Sequence, residues 1–501
     1  METQMAAPKK TRDALYFVKS IIGLAIMIFF QYIPAPAPIT PTGMAVIGML
    51  LGLIFLWTFV DIVWPTFAGI LIFGFHAFAI YPKSISLAGI YEAGAQSFGN
   101  WCVVFIIGCL LLTLALEEAG TIRRITMWFL SRKFARKSPW AFTTMFLGAA
   151  LLVGLFLDVS AAQFFMLGIA HQMFELLGFK KGEKWPTLMI IGLTFTTIIA
   201  FAATPICHAV PIMFMGIYSS ITGQPVNMLS YILVGVPIGL VLWGLMLLWF
   251  RYVGKPDVSQ LENIDYNVIE SMKPGPMDKK EKIVVTVSLF VVVCWLLPGF
   301  MSFLAPNSPV LAWFNAATAT APMFAAIPLL AIIRIDGKPI LNVMDALQKL
   351  PWYVIAFLAG IMMIASAVGE QSTGIPAFMA ANLAPITNGL SPFVFVTLIA
   401  VLSCVLANFL NHVPVGIIFV SVSVPAAIAV GINPLVMFIA ACLGANLGFA
   451  IPPAMVPIGV ACADEWGSYK TTIKNGFFML ICTCVVLAIL VYPLSSLVFG
   501  R

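Results

Sequence analysis

Apolar stretches of about 18–25 residues recur along this chain, the length at which an α-helix crosses the hydrocarbon core of a bilayer. They are read at about 15–32, 44–61, 64–81, 101–121, 139–177, 187–219, 228–250, 283–303, 310–333, 351–369, 391–430, 434–462 and 475–499. Alternating segments of about ten residues, the mark of a strand-built barrel, do not occur. A soluble domain is excluded by composition. It would need roughly 25% charged residues to solvate its surface, and here 9% are charged and 61% hydrophobic. Met1 to Arg12 is polar and basic, so no cleavable signal segment is expected there. The nine cysteines lie in apolar segments without metal-ligand spacing and read as packing residues.

The segments 139–177 and 391–430 are too long for one crossing and carry polar residues near their middles. Each is read as a re-entrant hairpin returning to its own side, with 187–219 and 434–462 as broken helices. Such backbone is tolerated in a membrane only where protein or a water-filled cavity satisfies it. Charge tests this scheme. With a cytoplasmic N-terminus, all but Lys83 and Arg501 of the 26 Lys and Arg fall on the cytoplasmic side, the excess that inner loops carry. That clustering also turns the net charge of +6 into a topology signal, so no nucleic-acid partner is expected.

The two hairpins are alike in sequence. Ser138-Pro139-Trp140-Ala141-Phe142 leads to Phe156-Leu157-Asp158, and Ser391-Pro392-Phe393-Val394-Phe395 leads to Phe409-Leu410-Asn411; both serines stand 20 positions before their tip residue. Downstream, Ala203-Thr204-Pro205 is matched by Ala450-Ile451-Pro452, 47 and 41 residues from tip to proline. The first hairpin enters from the cytoplasm and the second from outside, so the halves are inverted. Inverted repeats with Pro-interrupted helices point to a secondary transporter with its site near the midplane. Free N–H groups at half-helix ends suit an anion, and unwound carbonyls suit a cation.

Four regions resemble the divalent anion/sodium symporter family of the ion transporter superfamily. They are Leu56-Trp57-Thr58-Phe59-Val60-Asp61-Ile62-Val63-Trp64-Pro65, Leu116-Glu117-Glu118-Ala119-Gly120-Thr121-Ile122-Arg123-Arg124, Pro351-Trp352 to Gly360, and Pro452-Pro453-Ala454. That resemblance implies two inverted repeats, about 11 transmembrane helices plus two re-entrant hairpins, and an elevator-type transporter working as a homodimer. Its family places Ser-Asn-Thr at each hairpin tip; here Asp158-Val159-Ser160 and Asn411-His412-Val413 stand instead. The family's Pro-Pro-Asn element likewise becomes Thr204-Pro205-Ile206-Cys207 and Ile451-Pro452-Pro453-Ala454.

The division expected is a cytoplasmic N-terminus 1–14, a first repeat 15–251, a cytoplasmic connector 252–282 and a second repeat 283–501. Scaffold parts are 15–81 and 283–333; transport parts are 101–219 with hairpin 139–177, and 351–462 with hairpin 391–430. Candidate substrate-binding residues are Ser160, Thr204, Asn411, His412, Pro453 and Ala454. Asp158 and His208 are candidates for ion or proton coupling, with sodium near Asp158, Thr204 and Asn411. A carboxylate amid apolar residues is costly unless it meets a cavity, an ion or a partner. Asp158 reads either as the N-cap of the second hairpin arm, as a cation or proton site, or as a substrate contact. His412 and His208 read as backbone-bonded or packed imidazoles, or as proton-sensitive substrate contacts. His171 reads as structural.

No kinase, phosphate-loop or triad signature occurs, and no enzyme activity or cofactor is expected, Na+ aside. The functional expectation is a secondary active transporter of a small organic anion, a di- or tricarboxylate, by cation-coupled symport or anion exchange. The alternative is a proton- or sodium-linked antiporter of the same superfamily. The expected location is a bacterial inner membrane.

Overall fold

The computed structural model describes residues 14–82, 89–206, 208–262, 273–317, 319–378, 381–382 and 390–500. Lys9, Lys10 and Arg12 of the basic N-terminus, and Lys83, Cys207, Asn263, Asp265 and Arg501, lie outside the described residues.

The protein is an all-α polytopic membrane protein. Among the described residues, 11 helices are long and apolar enough to cross a membrane. The two strands among them, Arg334–Ile335 and Lys338–Pro339, form a small antiparallel ribbon. Asp336 (φ 49°) and Gly337 (φ 78°) supply the two left-handed positions of its tight turn, which is what an Asp-Gly pair favours. Several boundaries differ from the sequence reading; the last helix, for one, starts at Tyr469 rather than near 475. The stretch 310–333 is split into Pro309–Ala317 and Ala321–Ile332, each too short to cross alone. The connector is shorter than expected, because Lys279–Leu304 is one continuous helix. Asp278 starts it by accepting a hydrogen bond from Glu281 N at 2.7 Å, with Glu281 favourably placed in the first turn.

The chain separates into two compact units. One gathers the helices Ala14–Phe29, Pro41–Phe59, Val63–Ile80 and Gly89–Gln96 with Trp352–Gly369. Its core packs Leu53, Leu56, Phe73 and Ala77 against Met363 and Ala367. Gly360 permits this approach: a Cβ there would lie 2.8 Å from the Trp57 ring. Trp57 is fixed by its Nε1–H donating to Thr66 Oγ1 at 3.2 Å. Tyr81 Oη and Ser366 Oγ lie 2.7 Å apart, and Ser366 donates to Gln96 Oε1 at 2.9 Å.

The other unit holds Val104–Ser219, Gly223–Leu350 and the helices after residue 390. Both Ser-Pro motifs do the same local work there. Ser138 Oγ accepts from Ala141 N and Ser391 Oγ from Val394 N, each with proline in the first helical turn. This is the N-cap followed by Pro that begins a helix economically. In the pairs expected as hairpins, Pro139–Gly154 packs on Val159–Leu176 and Pro392–Phe409 on His412–Ala429; both helices of the second pair are themselves among the 11 long and apolar enough to cross. Small residues let these helices touch, as is usual in membranes. A Cβ on Gly444 of Pro434–Asn446 would collide with Ser403 Oγ and the Ala400 carbonyl, and one on Gly416 would collide with the Phe214 ring.

Charged groups gather at one edge of this second unit. Glu118 meets Lys349 at 2.7 Å and Lys280 at 3.7 Å, while Arg124 pairs with Glu281 through both carboxylate oxygens. Glu281 holds the Arg124 guanidinium pKa above its ordinary value. Loops assigned to one side from charge alone therefore meet in space.

Candidate functional site

Four interruptions of helix lie in the second unit: two hairpin tips and two breaks in apolar helices. At the first tip, Leu155–Leu157 leave the helix and Asp158 begins the next arm. Its Oδ1 accepts from Ser160 N at 3.0 Å and Ala161 N at 3.5 Å. The carboxylate thus serves as an N-cap, where both hydrogen bonding and the helix dipole favour a negative group. At the second tip Asn411 does the same, accepting from Val413 N at 3.0 Å. Asn411 is exposed, and Ser160 is half-buried.

The first break follows Lys184–Ala203. Thr204 turns extended, and its Oγ1 accepts from Ile206 N at 3.1 Å. Interrupting a helix frees carbonyls in its last turn. One of them, Ala202 O, accepts from the Tyr231 hydroxyl at 2.9 Å. His208 stands just before Ala209–Thr222, fully buried, with its ring 5.2 Å from that of Phe201 and neither ring nitrogen hydrogen-bonded.

The second break is longer, from Leu447 to Met455, between Pro434–Asn446 and Val456–Ala463. Its free backbone groups are collected by Asn408, a residue the sequence reading passed over. Asn408 Oδ1 accepts from Phe449 N at 2.7 Å and Ala450 N at 2.8 Å, and its Nδ2 donates to the Leu447 and Cys404 carbonyls, both at 2.9 Å. The side chain is fully buried and uses both ends of its amide. His412 joins the same segment: its backbone N–H donates to Ala454 O at 3.2 Å, and Nδ1 lies 3.0 Å from that oxygen. A carbonyl only accepts, so Nδ1 carries a proton in this contact. Ala454 is buried, and Pro453 beside it is exposed.

The parts converge on Phe201. His208 lies on one side and His412 has its ring centroid 6.1 Å away, edge-to-face. The first break is thereby brought to the second tip, and through His412 to the second break. Gln163, also missed from sequence, adds another link by donating to Thr194 Oγ1 and Pro457 O, both at 2.9 Å. Its signal was legible: an amide in the second turn of an apolar helix needs partners. His171 holds the outer end of that arm to Asp464 at 3.0 Å, a structural contact. Among the described residues no group of three His, Cys, Asp or Glu is arranged to hold a metal. The oxygens on offer are Asp158, Ser160, Thr204, Asn411 and unwound carbonyls, hard donors of the kind that suit a hard cation.

Comparison with known proteins gives a consistent result. Sodium-dependent dicarboxylate transporters SdcS of Staphylococcus saprophyticus and Staphylococcus aureus are 22% identical over 425 and 421 residues, covering 82% of this chain and 79% of theirs. The crystal structure of the Alcanivorax borkumensis YdaH transporter aligns with a TM-score of 0.52 at 14% identity, covering 90% of this chain and 99% of that one. It shows that the fold is shared. The family model for citrate transporters, CitMHS, matches residues 14–431. The resemblance read from Leu56–Pro65, Leu116–Arg124, Pro351-Trp352 to Gly360 and Pro452-Pro453-Ala454 holds, and the chain belongs to the citrate transporter family.

Proposed function

We propose that this protein is a secondary active transporter that moves a di- or tricarboxylate together with a cation, by the paired tips and breaks of its second unit. The observation that carries the reading is the meeting of His208, Phe201, His412 and Ala454, which draws three of the four interruptions to one place. Helix N-termini at Val159, Ala209, His412 and Val456 end there or at the adjoining tip. Each carries about half a positive charge; Asp158 offsets it at Val159, which leaves Ala209, His412 and Val456 as the fixed dipoles matched to carboxylates. Ser160, Thr204, Asn411 and His412 are assigned to the substrate, with Pro453 and Ala454 shaping the backbone around it.

Sodium is proposed as the coupled ion. The SdcS relatives are named as sodium-dependent, and the free oxygen of Asp158 with Thr204 and Asn411 gives hard ligands. A proton-linked antiporter is the second reading, favoured by the carboxylate at a tip where the family carries serine. The inverted arrangement of the halves, a cytoplasmic N-terminus, a bacterial inner-membrane location, elevator-type movement and a homodimer are part of the proposal and rest on charge and resemblance. Packing bears on the moving part: Trp352–Gly369 lies with Pro41–Phe59, and Lys279–Leu304 lies in the unit of the hairpins.

A thermal-shift panel of citrate, succinate and malate on purified protein tests the substrate class. Stabilisation by at least one of them, larger with sodium than with choline, is the result expected. No stabilisation by any carboxylate under either salt would overturn it.

A further inference from the structure

A cavity of about 240 Å³ lies beside the first hairpin tip, and none of the residues assigned to substrate lines it. Phe156 and Leu157 of the tip, Ile206 of the first break and Trp295 of Lys279–Leu304 line it. Trp295 forms a fixed wall, with Nε1 donating to Ala319 O at 2.8 Å and its ring 5.4 Å from that of Phe105. Two polar groups break the apolar lining. Thr121 and Ser288, 8% and 7% exposed, both line the cavity, and neither hydroxyl oxygen has a hydrogen-bond partner. A buried hydroxyl without a partner is unfavourable, so two in one cavity mark a place for a molecule with acceptor oxygens.

The mouth identifies the source. Leu289, which also lines the cavity, is 61% exposed, and Phe290, Val293 and Phe300 on the same helix are exposed as well. On a membrane-spanning helix such a face meets acyl chains rather than water. A dry apolar cavity of about 150 Å³ already takes up an apolar molecule, and this one is larger. Thr121 begins its helix just after Gly120 and two residues before Arg123-Arg124, basic residues of the kind found close to the ends of membrane spans.

We propose that this cavity is a lipid site: one acyl chain of a bilayer phospholipid enters beside Leu289, and its ester oxygen accepts hydrogen bonds from Thr121 and Ser288. The chain end then packs on Phe156, Leu157 and Ile206. A bound lipid thereby braces the tip that carries Asp158, and the composition of the bilayer sets how firmly that tip is held.

The test reconstitutes the full chain into liposomes containing phosphatidylglycerol with a diazirine in one acyl chain, irradiates, and maps adducts by peptide mass spectrometry. Adducts on Phe156, Leu157 or Ile206 are expected, in addition to those on surface residues such as Ile481. Val292→Phe, which fills the cavity, and the near-isosteric pair Thr121→Val with Ser288→Ala should each cut the inward adducts at least fivefold and leave the Ile481 adducts unchanged. Adducts confined to the surface, or inward adducts that survive both changes, overturn the site. Should the filling variant fail to fold, the paired variant carries the same test, because it hardly alters volume. The labelling needs no transport, so its failure is separate from failure of the transport proposal.

Discussion

Replacing Asn408 by alanine removes the side-chain amide that satisfies four backbone groups in and beside the second break. Phe449 N and Ala450 N lose an acceptor at 2.7 and 2.8 Å, and Leu447 O loses a donor at 2.9 Å, all in a buried site. Each buried polar group left unpaired costs about 1–3 kcal/mol. Counting only the two N–H groups gives about 2–6 kcal/mol. Measured side-chain hydrogen bonds in membrane proteins are weaker, with a mean near 0.6 kcal/mol, which places the expectation toward the low end, about 2 kcal/mol. The assay is tryptophan-fluorescence melting of purified protein in detergent, with Asn411→Ala as control. That exposed tip cap should cost no more than about 1 kcal/mol. Asn408→Asp keeps the acceptor for both N–H groups and should fall between alanine and wild type at a pH where it ionises least. A melting curve for Asn408→Ala indistinguishable from wild type, or less affected than Asn411→Ala, would refute the clamp.

Further outcomes follow from the same contacts. Asp158→Asn keeps a good N-cap, so its stability should stay within about 0.5 kcal/mol of wild type while cation dependence of transport is lost; unchanged cation dependence removes Asp158 from coupling. Gly444→Ala forces a methyl group into Ser403 and the Ala400 carbonyl, and should destabilise by about 1–3 kcal/mol in the same melting assay, whereas Gly168→Ala, with open space around it, should not. Lys181, 2.6 Å away, holds the Glu465 carboxyl below its ordinary pKa of 4.5. A depressed folded pKa adds stability above the unfolded value and loses it as pH falls through the folded value. Glu465→Gln should therefore lower the melting temperature slightly at pH 7 and not at pH 3, with the difference erased by high salt because both groups are exposed.

Legibility in the sequence divided by physical type. Long apolar runs and Ser-Pro starts are local signals, and they marked most of the apolar helices and the N-caps of Pro139–Gly154 and Pro392–Phe409. Asp158 and Asn411 stood out because polar residues in apolar runs demand a reason, and their capping geometry is also local. Asn408 was hidden. It sits three residues before a more conspicuous tip asparagine, its first-half counterpart is Leu155, and its partners lie about 40 residues downstream. No periodicity reports such a long-range contact. The split of 310–333 was missed because hydropathy does not see a helix interruption without a charge. The grouping of Trp352–Gly369 with Pro41–Phe59 rests on Gly360 admitting the Trp57 ring, a matter of shape that spacing does not encode.

Uptake of radiolabelled citrate and succinate into proteoliposomes, with an inward sodium gradient, an inward proton gradient, or neither, speaks most directly to what this chain does. Concentrative uptake of at least one carboxylate, present with the sodium gradient and collapsed when choline replaces sodium, is the predicted result. Absence of any carboxylate uptake or exchange under all three conditions, from protein that folds and reconstitutes, would contradict it.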